Sequence, residues 1–422
     1  MSFRSKIFLV SISGLIAIYG FVGGLLSTAQ QPLNDSGAQA RIFESVLQHI
    51  QNDYVDEPNM EKVRGGALRG LAYGLDPYSS YLTADQVKDF QAKKSSNLVG
   101  IGAELSQVSS YLYVIAPIKG SPSENAGIKA GDVIEYIENK ATRDISLYDA
   151  RQMLNGEAGT KVKLKVLRAG TKPQVLEVTR GTYKIPESEI KVETGKIGIL
   201  KVFSLEPGEA ADVKNRLQDL TKQGVQKIIV DLRGVSGGSL DEAVSVANLF
   251  IKDGNLAQVL GRENKVLKTL TADSGKFLFD GKVVVLIDLG TSGAAEVVAS
   301  AILERQRGDV VGEKSFGAGT EQELFKLRGG DGLLLTTSKW ASATGKTFLS
   351  DDRVASGVKP SVEVKRLEVE PTNPEDLVDQ NENQQPETQP TPKVETPKLE
   401  DVILKKAIEL LQDKAMTKAA GE

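Results

Sequence analysis

The stretch LIDLGTSGAAEVV, residues 286–298, reads as a buried strand entering a Gly-rich turn and then a helix. A continuous apolar run ending at Ile287 is what a strand covered on both faces looks like, and the Ala-rich segment from Ala294 carries Glu296 in its first turn. Strand, turn and helix in that order make the repeating unit of an α/β sheet, and the turn is where many α/β hydrolytic folds mount a nucleophile. Gly293 stands where a hydroxyl would be expected.

The same alternation extends in both directions. GKIGILKVF, EAADVKNRLQDLTKQG, VQKIIVDLRG, SLDEAVSVANLFI and KVVVLIDLG alternate strand-like and helix-like patterns, which predicts an α/β core over residues 183–365. Upstream, LYVIAPI, DVIEYIE and KVKLKVLRAG are short β-type runs with one helical segment, SLYDARQML, and predict a compact β-rich module over 95–182. Residues 38–94 read as a small helical domain, with Ile42, Phe43, Val46, Leu47 and Ile50 at helical spacing and Thr83 as the N-cap of a short helix. Residues 366–398 are Pro-rich, acidic and Gln-rich, and are expected to be a disordered linker. Residues 399–418 predict an amphipathic helix with a stripe at Leu404, Ile408, Leu411 and Ala415. Such a helix docks on its own core, pairs with a second copy of the chain, or binds a partner such as an active paralogue.

Composition removes several classes of function. The chain has no Cys and one His, His49, which reads as a polar residue on an amphipathic helix. Thiol chemistry and thiolate metal sites are therefore excluded, and with them almost every Ser-His-Asp arrangement. A net charge of −4 offers no footprint for nucleic acid. No phosphate-cradling motif and no cluster of His or Cys ligands occurs, so neither a nucleotide nor a transition-metal cofactor is implied. At the N-terminus Arg4 and Lys6 precede IFLVSISGLIAIYGFVGGLL, with Ser27-Thr28-Ala29 as a small-x-small site. Residues 1–29 are thus expected to be an export signal or a membrane anchor, which places the rest of the chain in the periplasm or on the extracytoplasmic face of a membrane.

NLVGIGAEL places backbone N–H groups from Gly100, Ile101, Gly102 and Ala103 where they could converge on a carboxylate, and the following strand offers an edge to an extended peptide. Leu147 and Arg151, one helical turn apart, would form the opposite wall. LDPYSSYL, GIGAEL with GSPSENAGIKAGDVI, and VDLRGVSGGSLDEAVSVANLF followed by VVGEKSFGAGTEQ together resemble the carboxy-terminal processing peptidases, or tail-specific proteases. These are exported serine peptidases with a PDZ domain set into a catalytic core. The resemblance implies a multidomain α/β fold: an N-terminal helical domain, a PDZ domain at 95–182 and a peptidase core of the ClpP/crotonase type.

It also implies a catalytic pair. The family pattern is similar to G-S-A-S-A-S-E, whose second serine attacks, and F-G-K-G, whose lysine acts as general base. Here the frames read Gly290-Thr291-Ser292-Gly293-Ala294-Ala295-Glu296 and Phe316-Gly317-Ala318-Gly319. The serine position is Gly293 and the lysine position, 25 residues on, is Ala318. Gln322 matches the family's supporting glutamine, and Gly237, Gly238 and the Ala294 N–H match its oxyanion elements, with Ser236 where proline is usual.

The expected function is that of a pseudopeptidase, an adaptor or scaffold that binds protein C-termini or unfolded segments. A displaced active site is the alternative, with Ser292 as nucleophile and Lys314 or Lys339 as base. A purely structural envelope protein is the third class.

Overall fold

A computed structural model describes residues 36–93, 99–365, 374–381 and 400–419. The expected signal or anchor at 1–29 and most of the 366–398 linker lie outside the described residues. Among those described, no helix is long and apolar enough to cross a membrane. The chain divides into two compact units, Met1–Ala67 and Leu68–Glu422.

The described part of the first unit holds α1 (Ser36–Asp53) and the start of α2 (Met60–Tyr73). Ile42, Phe43 and Val46 are 50%, 43% and 50% exposed, so among the described residues little covers the apolar face of α1. The expected boundary at residue 94 also fails. Ser80–Leu82 form a strand, β1, paired antiparallel with a strand some 250 residues later, and they bring the following helix α3 (Ala84–Lys93) with them into the second unit. Thr83 caps α3 as the sequence indicates: its Oγ1 accepts the Gln86 N–H at 3.4 Å, and Gln86 Oε1 accepts the Thr83 N–H at 3.0 Å.

The β-rich module begins with β2 (Val99–Gly100), β3 (Ala103–Val108) and β4 (Tyr111–Pro117). It continues through α4 (Pro122–Asn125), β5 (Val133–Ile137), β6 (Lys140–Ala141) and α5 (Leu147–Leu154) to β7 (Lys161–Leu167), β8 (Gln174–Thr179) and β9 (Gly181–Thr182). Its antiparallel sheet runs β3-β4-β5-β7-β8, and the β2–β9 pair ties the two ends of the module together. Alternate residues of these strands, among them Leu112, Val114, Ile134 and Leu164, meet Leu147 and Leu154 of α5 in one core.

The α/β core carries β10 (Glu189–Glu193), β11 (Ile197–Lys201), α6 (Glu209–Lys222), β12 (Lys227–Asp231) and α7 (Leu240–Asn248). After β13 (Asn255–Leu260) and β14 (Val266–Thr271) come β15 (Lys282–Ile287), α8 (Ala294–Glu304) and β16 (Gly308–Gly312). The chain then forms β17 (Thr320–Lys326), β18 (Gly332–Ser342) and β19 (Val362–Glu363). One sheet runs β10-β11-β12-β15-β16-β19, parallel except at β10. A second contains β1, β18, β13 and β14, with β17 on the far edge of β18.

The two faces of the parallel sheet are covered differently. Val230, Val285 and Val310 pack against α6, α7 and α8. Ile197, Ile229, Val284 and Leu286 pack against Ile403, Ala407 and Leu411 of the C-terminal helix. The expected terminal helix therefore docks on its own core. Between them lies a departure from the disordered-linker expectation: Pro374–Asn381 form a helix, α9, whose Leu377 is buried against Val133, Leu167, Tyr111 and Tyr113 of the β-rich module. One apolar pair, Leu377 and Val378, is enough to seat a short helix on a ready apolar patch. The C-terminal helix is α10 (Val402–Ala419).

Candidate functional site

Gly293 is the N-cap of α8, with φ 59° and ψ −114°. This conformation is strained for any residue with a side chain, as a nucleophile-bearing strand-to-helix turn is in general. A Cβ built there would lie 3.4 Å from Gly237 O, so there is room for a small side chain.

Glu296, in the first turn of α8 and 0% exposed, organises the surroundings. Its Oε2 accepts the N–H groups of Gly293 at 2.8 Å and Ala318 at 2.9 Å. Its Oε1 accepts the Gly317 N–H at 2.7 Å and the Ser315 hydroxyl. One carboxylate thus brings positions 293 and 318 together. Burial pushes the Glu296 carboxyl up to about 7, while these four donors pull it down. Asp288 serves the preceding loops in the same way, its Oδ1 accepting the N–H groups of Gly234 at 2.9 Å and Gly290 at 3.0 Å.

Gln322 lies on β17 and is committed elsewhere. Its Nε2 donates to Thr320 Oγ1 at 2.7 Å and to Thr336 Oγ1 at 3.3 Å. Thr336 and Ser79 in turn donate to Asp76, so the LDPYSSYL segment is bolted to β18 beside the site.

The oxyanion elements differ from expectation. The Ala294 N–H donates to Gly237 O at 3.2 Å, and burial and the nearby Glu104 raise the pKa of the Glu206 carboxyl against the pull of the Gly238 N–H that faces it. Both N–H groups thus face acceptors of the chain itself. The displaced-nucleophile set is not assembled either. Ser292 is 1% exposed and its N–H is bonded to Val235 O. Lys314 Nζ is turned to the carbonyls of Arg353 at 3.0 Å and Val354 at 2.6 Å. Lys339 lies on β18, in register with Thr320 on one side and Leu260 on the other.

At the candidate peptide groove, Gly102 has φ 71°, and a Cβ there would fall 2.4 Å from Ser121 Cβ, so only glycine fits. Gly102 O accepts Ile118 N–H and the hydroxyls of Ser121 and Ser123. Gly100 is buried and Ala103 half-buried, while Ile101 and Leu147 are both core residues of the module. Arg151 crosses from α5 to β3, where it donates to Glu104 Oε1 at 2.6 Å and to Leu105 O at 3.0 Å. The mouth of the groove is therefore bridged, a feature that the spacing of Leu147 and Arg151 did not indicate.

The β-rich module lies directly over the site. Tyr113 of β4 stacks on Phe316 at 5.4 Å, and the Arg353 guanidinium sits 4.1 Å above the other partner of that stack, Phe316, donating to its carbonyl. A Cβ on Gly290 would touch Ala116 and Ala130 at 3.4 Å.

Residues 196–364 match the model of peptidase family S41, and residues 113–168 match that of a PDZ domain. Over 362 residues, 85% of this chain and 76% of the relative, the sequence is 30% identical to the carboxy-terminal processing protease CtpA of Bacillus subtilis. The chain belongs to peptidase family S41. A second relative, a probable CtpA-like serine protease of Staphylococcus aureus, is 31% identical over 358 residues, 84% of this chain and 69% of that protein. The fold is also that of the photosystem II D1 C-terminal processing protease, with a TM-score of 0.65 and 24% identity over 76% of this chain and 86% of that one. The S41 match covers β11 through β19 and omits β1, and the PDZ match starts inside β4 and omits β3. Glu206, Glu104 and Arg353 surround the S41 site without having been singled out in the sequence, because no motif or spacing connects them.

Proposed function

We propose that this S41 chain is an exported pseudopeptidase that holds protein C-termini or unfolded segments in its PDZ groove and acts as an adaptor or scaffold. The observation that carries this reading is the pair of N–H groups on one Glu296 oxygen: positions 293 and 318 meet there, yet neither has a side chain that attacks or accepts a proton. Glycine offers no nucleophile and alanine no base, so covalent acyl transfer has no agent at these positions. Relatives are named as processing proteases, and the scaffold reading keeps their ligand class, polypeptide ends, while dropping the cut. No cofactor enters the reading.

Export follows from the basic residues and apolar run at the N-terminus. The test is binding of a fluorescent peptide with a free apolar C-terminus, compared with its C-terminally amidated twin. Tighter binding of the free carboxylate, with both peptides recovered intact by mass spectrometry, is the expected result. Equal binding of the two peptides, or none, would remove the PDZ groove from the account.

A further inference from the structure

The missing side chains are one difference between this site and a working acyl-transfer centre, and the backbone at Gly237 is a second. In a working centre, preorganised N–H groups converge on the developing oxyanion. The peptide unit joining Gly237 to Gly238 is turned the other way: its carbonyl accepts the Ala294 N–H at 3.2 Å, and its own N–H faces Glu206. In a trans peptide the carbonyl and the N–H point in opposite directions, so a single rotation of this plane sets both contacts or releases both.

Both flanking residues are glycines with positive φ, 76° and 86°, a region in which rotation of the plane meets little steric resistance. Position 238 cannot take a side chain, since a Cβ would lie 2.7 Å from Leu205 O. A Cβ built on Gly237 would lie 3.6 Å from Glu104 Oε2 and 3.9 Å from Glu206 Oε1, so two carboxylates stand beside this peptide. Glu104 is held in place by Arg151, and the Glu206 N–H is bonded to Ser204 Oγ at 3.0 Å.

We propose that Glu206 is a positioning residue that holds the Gly237–Gly238 peptide with its carbonyl in the anion-binding position, so that the chain's own backbone fills the oxyanion hole. This rests on the reading of Gly293 as the vacated nucleophile position. It goes beyond that reading in making the site doubly closed: restoring serine and lysine does not by itself restore the hole.

The test has a structural and a chemical arm. Crystal structures of the otherwise unmodified full chain carrying Glu206→Ala or Glu206→Gln report the orientation of the peptide. With alanine, Gly237 O is expected to leave the Ala294 N–H; with glutamine, whose amide oxygen can take the place of the carboxylate oxygen facing Gly238, the peptide is expected to stay as it is. An unmoved peptide in the alanine variant overturns the proposal, and glutamine provides a near-isosteric comparison if alanine perturbs folding. In the chemical arm, labelling by a fluorophosphonate is timed in the Gly293→Ser/Ala318→Lys background. Adding Glu206→Ala should speed labelling at least tenfold, and adding Glu206→Gln should leave it within twofold. Equal acceleration by both overturns the positioning role. If no variant labels, the assignment of position 293 fails, while the crystal structures still decide the orientation of the peptide.

Discussion

Glu296 receives three backbone N–H groups and one hydroxyl on a carboxylate that no water reaches. Removing it would leave those donors buried and unpaired, at about 1–3 kcal/mol each, so Glu296→Ala is expected to lower the urea midpoint severely. Its pKa, pushed by burial from the usual 4.5 to about 7, also carries a sign. Because the folded value lies above the unfolded one, the group's contribution is full below about pH 4.5 and is lost as pH rises through 7. The stability difference between the unmodified chain and Glu296→Gln should therefore fall between pH 5 and pH 7.5, by up to about 3 kcal/mol. A flat difference would mean that the four donors hold the carboxylate ionised throughout. Gly102 is a second point of strain: with φ 71° and Ser121 in the way, Gly102→Ala should cost about 2 kcal/mol or more in chemical denaturation. Gly293 and Glu296 could be read locally, because turn and helix cap lie three residues apart, and Ala318, 25 residues on from Gly293, could be read from the resemblance to the family frame. Glu206 and Arg151 could not, since each acts on a backbone group some 30 to 50 residues away.

Helix α10 covers a sheet face whose residues are spread over four strands. Its amphipathic pattern showed that it must bury a stripe, but the 3.6-residue period contains nothing about which surface accepts it. The structure turns Ile403, Ala407 and Leu411 inward, with Leu404 and Ile408 at the flanks. Arg233 then locks the helix start, pairing with both Asp231 and Asp401. Ile403→Ala is expected to cost about 2–4 kcal/mol, measured by calorimetry, and an unchanged melting temperature would mean that α10 is not docked in solution. Helix α9 was hidden for a different reason: an acidic, Pro-rich average conceals one apolar pair. Leu377→Ala should cost a similar amount and raise amide exchange in β5 and β7, on which that side chain rests. Strand β1 escaped notice because three residues show no periodicity, and its partner β18 is set by tertiary pairing alone.

At the scale of the molecule, the PDZ module and the S41 core share one seam. Tyr113 stacks on Phe316, Gly290 lies against Ala116 and Ala130, and Asp76, Ser79 and Tyr78 stitch the segment before β1 to both sides. The order of modules was readable from texture alone, as continuous apolar runs gave way to short alternating ones. Their mutual contact was not, because it joins single residues of distant loops. The S41 strand-to-helix turn, its Glu296 cap and the PDZ module stand around a glycine at 293 and an alanine at 318. The most direct measurement is a cleavage time course, read by mass spectrometry, with an unstructured protein ending in apolar residues. The chain from Gln30 onward is compared with its Gly293→Ser/Ala318→Lys/Glu206→Ala form. The unmodified chain should leave the substrate intact, and the triple variant should produce new termini. Cleavage by the unmodified chain that Ser292→Ala abolishes would contradict the pseudopeptidase reading.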